Sequence, residues 1–410
     1  MVINIIGLGY IGLPTALMFA THGVKVVGTD YNDKLIRQLN AGDVSLEEKG
    51  VSELFIDAIK LGIRFTTEYQ KADVYIVAVP TPYDKYSKKI DPTYVTSAIE
   101  SVLSVCPRGA IIVIESTISP GTTDRYIRPV IENCQYKIGV DIHLAHAPER
   151  IIPGNMIHEL IYNSRTIGTD EPFIAEKIKT LYSTFCKGEI TLTDIRTAEM
   201  TKVIENTYRD VNIAFANELA KICRRDNMDV YEIIRIANKH PRVNILSPGP
   251  GVGGHCIPID PWFLVGDYPD LAKIILTARK INDSMPEFVL GRILDIMRIH
   301  DVTHPKRVGL YGLTYKENVD DTRESPTLQL LDQMNSDFAS NIRIYDPHVT
   351  EDIVENQYHN FDDFIKDIDL VVIMVGHSNI HQHVDKLKEK IVFDTRNCLP
   401  GTIAKQVYRL

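Results

Sequence analysis

The sequence predicts an α/β protein in which two Rossmann-like, doubly wound domains are joined by a central helical domain with a long helix. Three observations lead there. Short apolar runs alternate with amphipathic stretches in the first part of the chain, the pattern of a parallel sheet covered by helices. A stretch free of glycine and proline follows from Asp194 to about Asn227, with apolar residues at helical spacing. After His304-Pro305 the alternating strand pattern returns. The boundaries expected from these changes are 1–193, 194–304 and 305–410.

Each part has its own signals. VINII (2–6) reads as a buried strand, followed by a glycine turn and a helix through about Thr21. VKVVGTD (24–30), VYIVAVP (74–80) and AIIVIEST (110–117) read as further strands. In the centre, Asp194 is placed to cap the long helix. Val203, Ile204, Val211, Phe215, Leu219 and Ile222 form its expected apolar stripe. Such a helix, roughly 50 Å long at 1.5 Å per residue, commonly joins domains or carries a dimer seam. Residues 270–300 read as helical with an interruption at Pro286. In the last part, KRVGLYGLTYK (306–316), NIRIYDP (341–347), DLVVIMVGHS (369–378) and IVFDTRN (391–397) repeat the element order of the first. The second copy lacks GxGxxG, so a different ligand is expected there.

A chain of 410 residues can bury more than one core. Its net charge of −9 argues against nucleic acid as a partner. No apolar run is long enough to span a bilayer, and the chain opens on a strand and not on a basic leader. The six cysteines are scattered without a CxxC pair, which favours reduced thiols and a cytoplasmic location over disulfides or zinc. The histidines show no ligand spacing, so no metal is expected.

The first chemical signal is Gly7-Leu8-Gly9-Tyr10-Ile11-Gly12. Gly7 permits the tight turn, Gly9 lets the backbone approach a pyrophosphate, and Gly12 allows close helix packing. The phosphates then meet free N–H groups at a helix N-terminus. Asp30 ends the second strand, 18 residues after the last glycine (30 − 12). A carboxylate there accepts bonds from ribose hydroxyls and repels a 2′-phosphate, so NAD is favoured over NADP. Thr81 and Thr117 end later strands, where ligands bind in open α/β sheets.

The second signal is Cys256, in PGPGVGGHCIPIDPWF (248–263). A hydride acceptor alone takes an alcohol to a carbonyl. A thiol that adds to the aldehyde gives a thiohemiacetal with a second hydride to lose, so the pairing points to an acid and two cofactor turnovers. A glycine loop is a poor place for a packing cysteine, whereas the other five are read as buried structural residues. Asp260 and Glu149 are equally readable as loop-capping carboxylates. Lys202 and Asn206 share one helix face. An ammonium there stabilises a developing alkoxide, although a solvated lysine is the commoner case. Arg209 and Asp210 continue that side less cleanly.

The segments GLGYIGLPTA (7–16), VPTP (79–82), ESTISPGTT (115–123), APER (147–150), EMTKVIENTYRDVNIAFANE (199–218), GVGGHCIPIDPWF (251–263) and YKENVDDTRESP (315–326) run in order along nearly the whole chain. Together they resemble the UDP-glucose/GDP-mannose dehydrogenase family, and most closely its N-acetylmannosamine-oxidising branch. The resemblance implies oxidation of a UDP-sugar 6-hydroxyl to a carboxylate with two NAD⁺, in surface polysaccharide synthesis. It implies Cys256 as nucleophile, with Asp260 and Glu149 positioning or activating water beside Thr117. Lys202 and Asn206 would contact the reacting oxygen. Lys316, Arg396, Arg150, Arg209, Gly253 and His255 would meet the substrate, and Arg323 the cofactor. Arg242 resembles an arginine offered to a neighbouring subunit's substrate, so a homodimer or higher oligomer built on the central helix is expected.

His255 and the loop Ser247-Pro248-Gly249-Pro250 depart from the glucose-oxidising branch, which generally carries a serine before the thiol. UDP-N-acetylglucosamine or UDP-glucose remain the alternative substrates. A two-electron hydroxy-acid dehydrogenase would need neither Cys256 nor the last hundred residues. A nucleotide-sugar or NAD-binding regulator without turnover is the reading from a different class. The sequence places NAD on the first Rossmann domain and UDP on the second, with the sugar's carbon six near Cys256.

Overall fold

Apart from residues 45, 47, 153, 335, 402 and 405, the computed structural model describes the chain from Met1 to Leu410. It forms two compact units, Met1–Glu205 and Asn206–Leu410.

The first unit holds an eight-stranded sheet: β1 (Val2–Ile6), β2 (Lys25–Thr29), β3 (Arg64–Thr66), β4 (Val74–Val77), β5 (Ala110–Ile114), β6 (Ile142–His146), β7 (Arg165–Gly168) and β8 (Ile190–Thr193). Their order is β3-β2-β1-β4-β5-β6-β7-β8, parallel except for the β6–β7 pair. The order reverses between β1 and β4, which opens a crevice at their C-terminal ends. Both faces are covered, so Ile3, Ile5, Ile76 and Val113 are buried and the strands read as unbroken apolar runs.

The second unit holds a six-stranded, all-parallel sheet: β9 (Val308–Tyr311), β10 (Arg343–Tyr345), β11 (Gln357–Tyr358), β12 (Leu370–Ile373), β13 (Ile391–Asp394) and β14 (Gln406–Arg409). Its order, β11-β10-β9-β12-β13-β14, has a second switch point between β9 and β12. The two doubly wound sheets and the helical segment are thus the architecture expected.

The long helix is Ile195–Arg225, 31 residues. Asp194 caps it: Oδ1 accepts the Thr197 N–H at 2.9 Å, Oδ2 accepts the Thr197 hydroxyl at 2.6 Å, and these bonds lower its pKa. The expected stripe is only partly right. Val203 is buried, but Ile204, Phe215 and Ile222 are about half exposed, and Ala214, Ala216, Ala220 and Cys223 pack inward. Small residues allow this helix to lie close to its neighbours, which the large-residue pattern concealed. Pro286 falls in the first turn of a new helix, Met285–Ile299, where its missing N–H costs nothing.

The strands end earlier than their apolar runs. Val79 and Pro80, and Ser116 and Thr117, lie beyond β4 and β5 in loops at the crevice. All six cysteines are free thiols. Cys134 is exposed and Cys398 only half-buried, contrary to their reading as buried; Cys134 ends a short surface helix.

Candidate active site

The glycine turn after β1 is built for close approach. Gly7 has φ +88°, and a side chain there would meet the Ala78 carbonyl oxygen at 2.6 Å. A side chain on Gly12 would strike the Gly7 carbonyl oxygen at 1.9 Å, whereas one on exposed Gly9 would meet no atom within 4 Å. Gly12 is therefore required by packing, and Gly9 leaves room for a ligand. The half-buried Asp30 accepts the Leu8 N–H on Oδ2 at 2.8 Å and the Asn32 N–H on Oδ1 at 2.9 Å. Each oxygen keeps a second lone pair for a hydroxyl. Tyr10 donates to Glu48 Oε1, which also accepts the Gly154 N–H at 2.6 Å, tying the turn to Gly154. Ile11 is half buried and packs against the core. Across the crevice, Thr81 donates to the Thr117 carbonyl at 2.5 Å. Gly turn, acid and open crevice fit an NAD-type dinucleotide.

Beyond β6, Glu149 is 7% exposed. Its Oε1 accepts the Arg150 N–H at 2.7 Å, and its Oε2 is ion-paired to the buried Arg165. Arg165 also reaches Glu115 at 3.2 Å and stacks 4.2 Å from the Tyr182 ring centroid, while the Tyr182 hydroxyl donates to Glu115 at 3.0 Å. Two carboxylates thus share one guanidinium. Desolvation, partly offset by Arg165, raises the Glu115 pKa. Arg150 is held by the Ser164 carbonyl and hydroxyl, the Thr166 hydroxyl and Glu205. Its guanidinium is built into the framework beside Glu149.

Sequence reasoning missed Glu115, Arg165, Tyr182 and Glu199. Glu199 anchors the SPGTT loop, accepting the N–H groups of Gly121 (2.5 Å) and Thr123 (2.9 Å). The one visible signal was a carboxylate, Glu115, directly after a fully apolar strand.

On the long helix, Lys202 is 8% exposed, and its ammonium makes no hydrogen bond or ion pair with another described side chain. Asn206 follows one turn later and is also buried. Its amide donates to Asp260 Oδ2 at 2.6 Å. Asp260 starts the helix Asp260–Asp267, where its charge favours the helix N-terminus, and its N–H bonds the Cys256 carbonyl at 2.9 Å. The thiol loop and this buried pair are therefore one local structure. Arg209 and Arg242 are exposed, while Asp210 is buried against Arg279 at 2.5 Å and belongs to the core.

Cys256 and His255 are exposed. The glycines before them allow the loop to press onto the 314–326 segment. A side chain on Gly253 would meet the Glu324 carbonyl oxygen at 2.5 Å, and the Gly254 N–H bonds the Arg323 carbonyl at 2.9 Å. Asp321 grips the Arg323 guanidinium at 2.6–3.1 Å. The Arg323 pKa is raised, first by that bond and in smaller part by the Cys256 sulfur. Desolvation and then the Arg323 charge lower the His255 pKa, although the residue retains solvent contact.

At the second switch point lies a pocket of about 90 Å³, lined among others by Pro250, Gly251, Tyr315, Lys316, Val375 and Arg396. Lys316 and Arg396, distant in sequence, converge there. Arg396 packs so close to Gly249 that a side chain on that glycine would lie 2.4 Å from its Nη1. Two cations at strand C-terminal ends suit a diphosphate. A larger hollow, about 630 Å³ beside Arg128, Tyr136 and Glu171, contains none of the residues singled out by sequence. Among the described residues no cluster could hold a metal ion, and no helix is long and apolar enough to cross a membrane.

Two nucleotide-type switch points and a thiol loop define a dinucleotide-dependent oxidoreductase. Residues 1–186 match the NAD binding domain of the UDP-glucose/GDP-mannose dehydrogenase family, 196–284 its central domain and 309–401 its UDP binding domain. The chain belongs to this family: it is an NAD-dependent UDP-sugar dehydrogenase. It is 43% identical to a UDP-N-acetyl-D-mannosamine dehydrogenase of Methanococcus vannielii, covering 98% of this chain and 94% of the relative. It is 39% identical to an NDP-N-acetyl-D-galactosaminuronic acid dehydrogenase of Ralstonia nicotianae, covering 96% and 95%. The UDP-N-acetyl-mannosamine dehydrogenase structure from Staphylococcus aureus superposes with a TM-score of 0.89 at 43% identity, covering 100% and 98% of the two chains.

Proposed function

We propose that the protein oxidises UDP-N-acetyl-D-mannosamine to UDP-N-acetyl-D-mannosaminuronate, with two NAD⁺ per sugar. The observation that carries this reading is the exposed Cys256 on a glycine loop whose Gly254 N–H bonds the Arg323 carbonyl, backed by the buried Asn206–Asp260 pair. NAD supplies the hydride acceptor for each oxidation. Loss of a hydride from carbon six and of the 6-hydroxyl proton gives an aldehyde, and the Cys256 sulfur adds to its carbon while the thiol proton passes to the carbonyl oxygen, giving a thiohemiacetal. Loss of a second hydride leaves a thioester, and water cleaves it to the carboxylate and the free thiol.

Lys202 stabilises the oxyanion that forms at carbon six, and Asn206 and Asp260 hold the oxygen or the water at that centre. Glu149, fixed by Arg165 and the Arg150 N–H, orients the hydrolytic water near Thr117. Gly7, Gly9, Tyr10, Ile11, Gly12, Asp30 and Thr81 form the NAD site. Lys316 and Arg396 bind the diphosphate, and Gly253, His255 and Arg209 contribute to the sugar side. The functional division is 1–193 for NAD, 194–304 for the thiol loop and 305–410 for UDP.

The half-exposed Phe215 and Ile222, with Tyr208 at helical spacing, support a dimer seam on the long helix, and Arg242 would be offered to the substrate of the neighbouring subunit. The product serves surface polysaccharide synthesis in the cytoplasm.

The test is NADH yield from limiting UDP-N-acetylmannosamine, with UDP-N-acetylglucosamine, UDP-N-acetylgalactosamine and UDP-glucose in parallel. Two NADH with acid product from the manno sugar, and little from the others, supports the reading. Efficient turnover of another sugar moves the substrate, and one NADH with an aldehyde or ketone product removes the thioester route.

A further inference from the structure

The glycine turns of the two sheets are built alike. Gly7 N–H bonds the Thr29 carbonyl and Gly312 N–H the Tyr345 carbonyl, both at 2.8 Å. Leu8 N–H bonds Asp30 Oδ2 at 2.8 Å, and Leu313 N–H bonds Asp346 Oδ2 at 2.6 Å. Gly7 and Gly312 have φ of +88° and +101°. The two acids then diverge. Asp30 is partly exposed, but Asp346 is 2% exposed, shielded from ligands by burial and bonded on both oxygens from within. Besides Leu313, Oδ2 accepts the Thr314 N–H at 3.2 Å and lies 3.1 Å from His377 Nε2, and Oδ1 accepts the His348 N–H at 2.8 Å.

His377 is fully buried. Its Nδ1 accepts the Asn318 N–H at 2.9 Å, so the proton of the neutral ring sits on Nε2 and points at Asp346. Asn318 answers with its own Oδ1, which accepts the Ser378 N–H at 2.9 Å. Asn318 holds φ +58°, a conformation asparagine tolerates. The Thr314 hydroxyl, 3.3 Å from His377 Nε2, bonds the Lys316 carbonyl at 2.8 Å. Both ends of the turn carrying Lys316 are thus fastened to one imidazole.

We propose that His377 is a positioning residue for nucleotide binding: it withdraws the Asp346 carboxylate from ligands and fixes the 313–318 turn, and with it Lys316, at the pocket between β9 and β12. The inference rests on the reading of that pocket as the UDP site.

The test is calorimetric binding of UDP and of NAD to the full chain, with steady-state kinetics. In His377→Gln the side-chain amide can still donate to Asp346 but the Nδ1 acceptor is lost. In His377→Asn an acceptor for Asn318 is kept. The Gln variant should bind UDP about tenfold more weakly and show a similar rise in UDP-sugar KM, with kcat and NAD affinity within about twofold. The Asn variant should stay within about threefold of the wild type. UDP affinity unchanged in both, or NAD affinity falling together with that for UDP, would overturn the proposal. If neither folds, Asn318→Gly keeps the positive φ and removes only the Ser378 bond. A several-fold loss of UDP affinity supports the proposal, and none contradicts it. Failure of the wild-type chain to bind UDP would instead sink the pocket reading itself.

Discussion

Asn206 donates a 2.6 Å hydrogen bond to Oδ2 of Asp260, joining the long helix to the residue that opens the helix after the thiol loop. Both side chains are buried, and the Asp260 N–H bonds the Cys256 carbonyl, so the pair sets where the sulfur sits. Asn206→Ala should cost about 1–3 kcal/mol of stability by stripping a bond from a buried carboxylate. Thermal unfolding would show it as a fall of several degrees. Asn206→Asp should be worse at pH 8 than at pH 5, because two close carboxylates are relieved only by a shared proton. Equal damage at both pH values would contradict this account.

Gly9 and Gly12 should separate binding from folding. Gly9→Ala meets open space, so melting temperature should hold while NAD affinity falls about tenfold or more, the methyl standing where the pyrophosphate approaches. Gly12→Ala drives a methyl into the Gly7 carbonyl and should lower the melting temperature directly. Differential scanning fluorimetry with and without NAD reads both.

Arg396→Ala should raise the UDP-sugar KM by about tenfold to a hundredfold, since a charge-assisted bond contributes about 1.5–3 kcal/mol. Gly249→Ala should give a milder form of the same defect by pushing the guanidinium aside. UDP titration at two salt concentrations checks both, and a wild-type KM in the Arg396 variant would remove Arg396 from the site.

The buried Glu115 carries a pH signature. Desolvation raises its pKa from an ordinary 4.5 to about 7. A raised carboxylate pKa means the folded state holds its proton more tightly than the unfolded state. Stability from this group is therefore full below about 4.5 and declines as pH rises toward 7. Glu115→Gln is neutral throughout, so its melting temperature should improve relative to wild type as pH rises from 5 to 8. A constant difference across that range would show that Glu115 is ionised in the folded protein at both ends.

Much of the first sheet was legible because buried parallel strands read as apolar runs and Gly7-Leu8-Gly9-Tyr10-Ile11-Gly12 marks its turn locally. Strand ends were not: VYIVAVP continues apolar through Pro80, but β4 stops at Val77, where pairing gives way to the crevice. The long helix was found, yet its buried side was misjudged, since Ala216 and Ala220 pack inward while Phe215 and Ile222 remain half exposed. In the site, Cys256, Asp260 and Asn206 were named from their motifs. The network of Glu115, Arg165 and Tyr182, like that of Asp346 and His377, joins residues tens of positions apart, and no local spacing announces it.

Cys256 is proposed to carry the sugar between two oxidations. The most direct measurement is NADH released per UDP-N-acetylmannosamine, in the wild type and in Cys256→Ala. Two NADH and the acid are expected from the wild type, and no acid above trace from the variant. Acid formed by Cys256→Ala at the wild-type rate would contradict it.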